Sequence, residues 1–275
     1  MSARPRMYHE LADWFHLITA PEDYAEEAAY YLAVMRNVIG RTPASLLELG
    51  SGGGNNASHY KASIPDVVLS DLSEEMLSLS RTINPGLRHV RGDMRTLRVG
   101  RQFEAVFVHD ACSYLTTADD IRQLAETAFE HCLPGGVAVF CPDHTQENLV
   151  YETDHGGHDG DGRALRYLEW TTPGAPGTFE FGIDYAYILH EDGHEPRVVY
   201  DHHVNGALPR ETWLSSLAEA GFQPGAVPLV HSEVPEGYSE VFTGWRPPGG
   251  SSSEPLQCRT ASTAFLPEAT TTEGT

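Results

Sequence analysis

The sequence predicts an α/β fold in which a doubly wound parallel sheet is followed by an antiparallel insertion. Five short apolar segments alternate with helical patterns over roughly one hundred residues. A glycine-rich turn joins the first of these segments to a helix, which is typical of sheets that bind nucleotides at their carboxyl edge. Beyond about residue 145 the pattern changes to longer strands around an Asp-Gly turn, which favours antiparallel pairing.

The first half of the chain supplies the parallel sheet. A helix is predicted from about Pro21 to Ile39, because its apolar residues recur three or four apart. Ser73 is expected to cap a second helix, whose buried stripe is predicted as Met76, Leu79 and Ile83. A third helix runs from Ala118 to Cys132 and is stopped by the turn that follows. The five predicted strands cover residues 45–49, 66–70, 87–90, 104–108 and 137–141.

The second half of the chain is predicted to carry the insertion, at about 146–207. Residues 145–165 have the composition of a loop, and two strands at 178–189 and 197–204 flank the Asp-Gly turn. A helix and two closing strands then complete one domain over 1–246, at residues 209–220, 226–231 and 239–245.

The last segment, 247–275, is rich in Gly, Ser, Thr and Pro. Such a composition buries too little apolar surface to offset its ordering entropy, so we expect a disordered tail.

Charge and cysteine content restrict the partners. The formal net charge is −21, which repels phosphate backbones and anionic membranes and predicts neither a nucleic-acid nor a membrane partner. No apolar run reaches the length of roughly 20 residues that spans a bilayer, and the polar N-terminus does not predict a signal peptide. Three of the four cysteines lie in predicted core, which predicts reduced thiols and a cytoplasmic protein. The expected partner is a small-molecule substrate, and a homodimer is left open.

Three features at the ends of successive predicted strands indicate a nucleotide-like ligand. Gly50, Ser51 and Gly52 open a turn that lets a ligand approach the backbone. Asp71 follows about 20 residues later, where a carboxylate accepts ribose hydroxyls. Asp93 ends the third strand, where it can accept an adenine amino group while Met94 packs on the ring.

A nicotinamide dinucleotide is the competing ligand, since the same turn and acid serve it. The G-x-G-x-x-G spacing is broken, because Asn55 stands at the third glycine position. Glu48 directly before the turn would repel a pyrophosphate but suits a ligand with an ammonium group. The residues therefore favour an adenosyl ligand of that kind.

These motifs resemble the class I S-adenosylmethionine-dependent methyltransferases with a Rossmann-like sheet. Residues 46–50, 71–77 and 92–95 are similar to the motifs of that family. Within it the chain resembles the N,N-dimethyltransferases of nucleotide-linked amino sugars in natural-product and antibiotic biosynthesis. The resemblance implies a methyltransferase domain over 1–246, S-adenosyl-L-methionine as cofactor and N-methylation of an amine as the reaction.

The resemblance also implies roles for individual residues. Tyr24 would cover the methionine end of the cofactor, Trp14 with Phe15 would form a lid, and Tyr114 stands where the subgroup often has histidine. His109, Asp110 and Tyr114 are the candidate catalytic residues, for orienting the acceptor or taking its proton. The predicted cofactor contacts are Trp14, Tyr24, Glu48, Gly50, Ser51, Gly52, Asp71, Leu72, Met76, Asp93, Met94 and His109.

Alternatives remain for the chemistry. An O-methyltransferase acting on a polyketide, peptide or phenolic scaffold fits the same cofactor site, and so does a non-catalytic adenosyl-binding relative. No metal site is predicted, because the histidines of the second half lack ligand spacing on a helix and are expected to be ordinary loop residues. These histidines are His155, His158, His190, His194, His202 and His203.

Overall fold

The computed structural model describes residues 5–235 and 237–248 and contains two sheets. In chain order the strands are β1 (Ser45–Leu49), β2 (Asp66–Asp71), β3 (Arg88–Arg91), β4 (Phe103–Val108), β5 (Cys132–Phe140), β6 (Thr153–Gly156), β7 (Arg163–Pro173), β8 (Glu180–Glu191), β9 (Arg197–Gly206), β10 (Gln223–Pro228) and β11 (Glu240–Trp245). The α-helices are α1 (Phe15–Ile18), α2 (Ala25–Ile39), α3 (Asn55–Tyr60), α4 (Glu74–Ile83), α5 (Ala118–His131) and α6 (Arg210–Ala220). Short 3-10 turns cover Arg6–Tyr8, Ala12–Trp14, Pro21–Tyr24 and Asp110–Tyr114.

The larger sheet has seven strands in the order β10-β11-β5-β4-β1-β2-β3. Strands β1 to β5 pair in parallel, while β11 runs antiparallel to β5 and β10 antiparallel to β11. The chain winds outward from β1 to β3 and then returns to β4 on the other side of β1. Ligands of such sheets bind at this reversal, beyond the carboxyl ends of the strands. The predicted doubly wound sheet is confirmed.

Helices cover both faces of the larger sheet. One buried cluster joins α5 and α6 to the sheet through residues such as Leu124 and Trp213, and the other joins α2 and α3 through residues such as Met35 and Tyr60. Burial of these apolar side chains from strands and helices supplies most of the favourable free energy of folding.

Helix α4 begins as predicted, because the Ser73 hydroxyl accepts a hydrogen bond from the Met76 amide. Its predicted buried stripe is wrong in part. Met76 is buried together with Leu77 and Ser80, whereas Leu79 and Ile83 are only half-buried. The reason is that α4 turns a polar face toward the glycine turn after β1: a Cβ on Gly54 would lie 2.2 Å from Ser80 Oγ.

The smaller sheet is the predicted antiparallel insertion, with strand order β6-β7-β8-β9. The prediction of a loop at 145–165 is wrong, because β6 and the start of β7 lie there. Strand β7 was missed because charged and polar residues interrupt its apolar ones. The strand is held in place by pairing with β8 at eleven positions. Strand β5 begins earlier than predicted, at Cys132, and β10 ends earlier than predicted, at Pro228.

The N-terminal segment joins the two sheets. Met7, Leu11 and Trp14 are buried against Leu165, Tyr187, Leu189 and Val199 of the smaller sheet. No helix within the described ranges has the length and apolar character that a membrane crossing requires. The tail predicted for 247–275 lies outside the described residues from position 249 onward.

Candidate active site

A cavity of about 490 Å³ opens at the carboxyl ends of β1, β2 and β4. The N-terminal segment and the inner face of the smaller sheet cover it, through residues such as Tyr8 and Tyr185. Most of the predicted site residues meet here although they come from distant parts of the sequence. They are Tyr24, Glu48, Gly50, Ser51, Gly52, Asp71, Leu72, Asp93, Met94, His109, Asp110 and Tyr114.

Two predicted contacts do not line the cavity. Trp14 is buried beneath the smaller sheet, where the Arg163 guanidinium lies 4.1 Å from its ring centroid, and Phe15 lines the cavity instead. Met76 is buried under the glycine turn, with its Cε 3.8 Å from where a Cβ of Gly52 would stand. Both side chains support the cavity wall from behind.

The turn after β1 brings backbone to the cavity surface. Gly50 has a φ of +73° and a Cβ there would lie 2.3 Å from Ala111 Cβ, so the position requires glycine. Three buried polar atoms around the turn have no hydrogen-bond partner among the described residues: Ser51 Oγ, Asn55 Oδ1 and Asn56 Oδ1. All three residues line the cavity. Buried polar atoms are normally satisfied, so these indicate a place for a polar ligand.

Asp71 ties this turn to the end of β2. Its Oδ2 accepts the Gly52 amide at 2.9 Å and its Oδ1 accepts the Ser73 amide at 2.8 Å. Burial raises the pKa of Asp71. Hydrogen bonds from the amides of Ser73, Gly52 and Leu72 oppose this effect, but the net pKa is still raised. The amides fix the carboxyl group at the cavity wall, where its remaining lone pairs can accept ligand hydroxyls.

Asp93 is held by an arginine. Arg95 donates from Nη2 to Asp93 Oδ2 at 2.7 Å and from Nη1 to Asp120 Oδ1 at 2.6 Å. The hydrogen bonds from Arg95 lower the pKa of Asp93, so the group is an anionic acceptor at neutral pH. Arg95 is itself neutralised by two carboxylates and contributes little free positive charge to the cavity.

Glu48 is the most deeply buried carboxyl group of the cavity, with only 2% of its surface exposed. Tyr60 donates a hydrogen bond to one carboxylate oxygen. Burial raises the pKa of Glu48 to about 7. A cationic ligand group next to it would reverse that shift, because it would favour the ionised form.

His109 lies between two carboxylates at the end of β4. Its Nδ1 is 2.9 Å from Asp110 Oδ1, and its Nε2 is 2.9 Å from the Tyr31 hydroxyl and 3.4 Å from Glu27 Oε1. Burial alone would lower the pKa of His109, but Asp110 and Glu27 outweigh it and raise the pKa well above 6.5. His109 is therefore an imidazolium at neutral pH and has no lone pair to accept a proton.

Asp110 faces a second acid, Asp143, on the other side. Burial and the negative charge of Asp110 raise the pKa of Asp143 well above its usual range, while the pKa of Asp110 is lowered because His109 outweighs its burial. The two acids therefore titrate as a pair, in which Asp110 favours the ionised form and Asp143 the protonated form.

Tyr114 belongs to a chain of hydrogen bonds that sequence reasoning missed. Its hydroxyl lies 2.8 Å from the Tyr8 hydroxyl and 2.8 Å from His203 Nδ1, while His203 Nε2 lies 3.1 Å from Asp201 Oδ2. His203 is thus buried, in contrast to the exposed His155, His190, His194 and His202. A signal was present: Asp201 and His203 are two apart on a strand and so face the same side of the sheet.

Within the described ranges, no group of three or more His, Cys, Asp or Glu side chains is arranged to hold a metal ion. The ionisable side chains that line the cavity are carboxylic acids, histidines, tyrosines and the arginine that holds Asp93.

Residues 46–136 match the family model described as a methyltransferase domain. The match covers β1 to the first part of β5 and includes the glycine turn, Asp71 and Asp93.

Among curated proteins, the chain is similar to dTDP-3-amino-3,4,6-trideoxy-α-D-glucopyranose N,N-dimethyltransferase of Streptomyces venezuelae, with 36% identity over 44% of this chain and 51% of that protein. The chain spans about half the length of the curated relatives it matches.

Solved structures show the same fold over most of the chain. Streptomyces venezuelae DesVI superposes with a TM-score of 0.74 and 24% identity, covering 87% of this chain and 97% of that one. The sugar N-methyltransferase KedS8 of a Streptoalloteichus species superposes with a TM-score of 0.75 and 21% identity, covering 90% and 95%. The chain therefore shares the fold of these solved structures, and residues 46–136 match a methyltransferase domain.

Proposed function

We propose that this protein is an S-adenosylmethionine-dependent N-methyltransferase that acts on an amino sugar linked to a nucleotide. The observation that carries the proposal is the combination of Glu48, Asp71 and Asp93 with unsatisfied polar atoms around one glycine turn. A carboxylate buried beside this turn suits an ammonium group and disfavours the pyrophosphate of a dinucleotide. The residues present therefore fit the methyl donor.

Each residue of the set would hold one part of the methyl donor. Glu48 and the unpartnered oxygens of Ser51, Asn55 and Asn56 would bind the amino-acid end. Asp71 would accept the ribose hydroxyls, and Asp93 with Met94 would hold the adenine. Tyr24, whose ring centroid lies 6.0 Å from that of His109, would cover the methionine end.

S-adenosylmethionine supplies an electrophilic methyl group, so the protein's task is to hold an amine in line with it. Correct placement of two reactants can contribute roughly 7–11 kcal/mol to the lowering of a barrier. The cavity has the electrostatic character for an amine, because Asp110 presents a carboxylate and Tyr8, Tyr114 and Tyr185 present aromatic faces. These groups would orient the acceptor.

The proposed acceptor class comes from the curated relative, which is named as an N,N-dimethyltransferase of a dTDP-linked amino sugar. We extend the proposal to natural-product biosynthesis on the resemblance of the sequence motifs described above. Arg95 is the one arginine among the described residues that line the cavity, and Asp93 and Asp120 neutralise it. A pyrophosphate on the substrate would therefore sit outside this cavity, toward its rim.

Further proposals concern the whole chain. Residues 1–246 would act as one methyltransferase domain with residues 247–275 as a tail. Cys112, Cys132 and Cys141 are buried and free of disulfides among the described residues, which supports a cytoplasmic protein. A homodimer stays a prediction.

The first experiment is calorimetric titration of the protein with S-adenosylmethionine and, separately, with NADH. Micromolar binding of the first alone, lost in Asp71→Ala, is expected. Asp66→Ala serves as the matched control, since Asp66 is at the opposite end of β2 and pairs with Arg101 at the surface. Binding of NADH instead, or of neither ligand, would contradict the proposed cofactor.

The acceptor is tested by mass spectrometry of reactions with dTDP-3-amino-3,4,6-trideoxy-α-D-glucopyranose, the compound in the relative's name. We expect mono- and dimethylated amine products. Methylation of a matched hydroxy sugar but not of the amino sugar would replace N-methylation with O-methylation.

A further inference from the structure

A line of four buried or half-buried side chains leads away from the cavity. It begins with Tyr8 and Tyr114, which both line the cavity, and continues through His203 to Asp201. His203 and Asp201 are each only 4% exposed. The line crosses three parts of the chain: the N-terminal segment, the turn after β4 and strand β9.

The direction of these hydrogen bonds follows from the carboxylate at the far end. Burial raises the pKa of Asp201, but hydrogen bonds from His203 and the Arg6 and Met7 amides outweigh this and lower it, so Asp201 is ionised. An ionised carboxylate accepts hydrogen bonds only, so in the neutral form of His203 the ring proton is on Nε2. Nδ1 then has a free lone pair and accepts the Tyr114 hydroxyl, which in turn accepts from Tyr8.

The packing around His203 holds this arrangement in place. A Cβ on Gly206, three residues along β9, would lie 2.1 Å from the Leu115 carbonyl, so the strand and the turn after β4 are in close contact. The groups that face the imidazole are Tyr8 from the N-terminal segment, Tyr114 from the turn, Tyr185 from β8 with ring centroids 4.9 Å apart, and Asp201 on the same strand.

A second observation places a ligand next to this line. Asn205, on the same strand, lines the cavity and is 4% exposed. Its Oδ1 has no hydrogen-bond partner among the described residues. Like the unpartnered atoms at the glycine turn, it indicates a polar ligand group.

We propose that Tyr114, His203 and Asp201 form a proton relay that removes a proton from the acceptor amine before methyl transfer. This inference rests on the proposed N-methylation, because an amine bound as ammonium has no lone pair with which to attack. It assigns Tyr114 as the catalytic group that touches the amine, and His203 and Asp201 as residues that act through it.

The proton transfer balances without any further reactant. The ammonium N–H bond breaks as its proton passes to the Tyr114 oxygen, while the Tyr114 O–H proton passes to His203 Nδ1. His203 becomes an imidazolium paired with Asp201, and the amine regains the lone pair that forms the new N–C bond as the C–S bond of the donor breaks. The proton leaves His203 by the reverse path, to water, after the product departs. Burial holds the pKa of Tyr114 well above 10, so the hydroxyl passes the proton on without storing charge.

Two variants separate proton uptake from positioning. His203→Asn keeps an oxygen acceptor near the Nδ1 position but cannot take a proton, and Tyr114→Phe removes the link to the cavity. His202→Asn is the matched control, because His202 lies next to His203 but faces outward toward Asp184. The assay is methylation of dTDP-3-amino-3,4,6-trideoxy-α-D-glucopyranose, followed as kcat/KM against pH.

For His203→Asn we expect a loss of about 10²-fold in kcat/KM near neutral pH, the lower end for general-base catalysis, that shrinks toward unity as the amine itself deprotonates in alkali. His202→Asn should behave like the wild type at every pH. A loss in His203→Asn that is the same at all pH values would mean a merely structural role and would overturn the relay.

Nitrogen NMR of histidine-labelled protein tests the relay without turnover. We expect His203 to be protonated on Nε2 alone in the neutral state and to gain its second proton on Nδ1. A neutral state protonated on Nδ1, or an imidazolium throughout the active pH range, would overturn the proposal. If the wild type methylates no amine, the proposed function fails, and the NMR result still reports separately on the relay.

Discussion

Two buried histidines differ in what they can do: His109 lines the cavity, and His203 is connected to it through Tyr114. Each contacts one carboxylate and one tyrosine hydroxyl, which are Asp110 and Tyr31 for His109 and Asp201 and Tyr114 for His203. They differ in that His109 also has a second carboxylate nearby, with Glu27 Oε1 3.4 Å from its Nε2. Two anions make the cation permanent at neutral pH, so His109 acts as a fixed charge. His203 contacts one anion only, and in the neutral form of the ring its Nδ1 can accept the Tyr114 hydroxyl.

The difference shows that the partner of the second ring nitrogen decides the role of a buried histidine. A carboxylate on the first nitrogen is common to both. On the second nitrogen both have a tyrosine hydroxyl, but His109 has the Glu27 carboxylate within reach as well. Of the predicted catalytic residues, Tyr114 is thus better placed for proton transfer than His109, which is better placed to neutralise the acids around it.

The largest expected effect is on stability, in His109→Leu. This change leaves Asp110 and Glu27 without the cation between them. Breaking a buried ion pair costs about 3–5 kcal/mol, and we expect about 3 kcal/mol here because the Asp110 side chain is 47% exposed. Since the folded-state pKa of His109 is raised, its stabilising contribution is complete below pH 6.5 and is lost as the pH rises through the raised value. Urea unfolding of both proteins across that range measures the loss. An equal loss in His203→Asn would break the comparison.

The next effect is expected for Glu48→Gln, which tests a deeply buried carboxyl group of the cavity. The rise in the pKa of Glu48 from 4.5 to about 7 corresponds to about 3 kcal/mol of destabilisation above that pH, at about 1.4 kcal/mol per pKa unit. The sign is that folding favours the protonated form, so the wild type loses this stability as the pH rises from 4.5 through about 7.

Glu48→Gln should therefore unfold at higher urea than the wild type in mild alkali, with the difference vanishing toward acid pH. The same variant should bind S-adenosylmethionine more weakly by calorimetry, because the ammonium group loses its anion. A variant that is both less stable in alkali and fully able to bind would show that Glu48 is not the buried anion of the site.

Tyr114→Phe sharpens the comparison, because it disconnects His203 from the cavity and leaves the contacts of His109 intact. We expect kcat/KM to fall by about 10²-fold near neutral pH, as for loss of a general base, with a smaller change in KM. S-adenosylmethionine affinity, measured by calorimetry, should stay within about twofold, since the Tyr114 hydroxyl is hydrogen-bonded to Tyr8 and His203. A large loss of affinity would instead make Tyr114 part of the cofactor site.

The smallest effect is expected for Gly206→Ala. The added Cβ would press on the Leu115 carbonyl, which must move to relieve a 2.1 Å contact, and the shift would lengthen the Tyr114–His203 hydrogen bond. We expect about tenfold lower kcat/KM, because a displacement of about 1 Å in a catalytic group is costly. Gly193→Ala would serve as a comparison at a glycine with open space around it, although its positive φ adds strain. Unchanged activity in Gly206→Ala would mean that the relay tolerates movement.

The parallel sheet could be predicted from sequence because its signals are local. The glycine turn and the positions of Asp71 and Asp93 each follow a strand, and a parallel sheet brings all strand ends to one edge. The relay could not be predicted in the same way, since its members are up to 195 positions apart, from Tyr8 to His203. Its formation depends on how β9 packs on the turn after β4, which no local pattern encodes.

The errors have the same origin. Trp14 was expected at the cavity from the resemblance alone. Its indole instead packs against Leu165 and Tyr187 of the smaller sheet. Strand β7 was missed because one of its faces is polar and its order comes from pairing with β8. In both cases tertiary contacts overrode what the neighbouring residues indicate.

Asp201 also links the N-terminal segment to His203. The oxygen that accepts His203 also accepts the Met7 amide at 2.9 Å, so a single atom both orients the imidazole and anchors the start of the chain. A deletion that removes Met7 would therefore take away one of the two hydrogen bonds to this oxygen and would disturb the orientation of the imidazole.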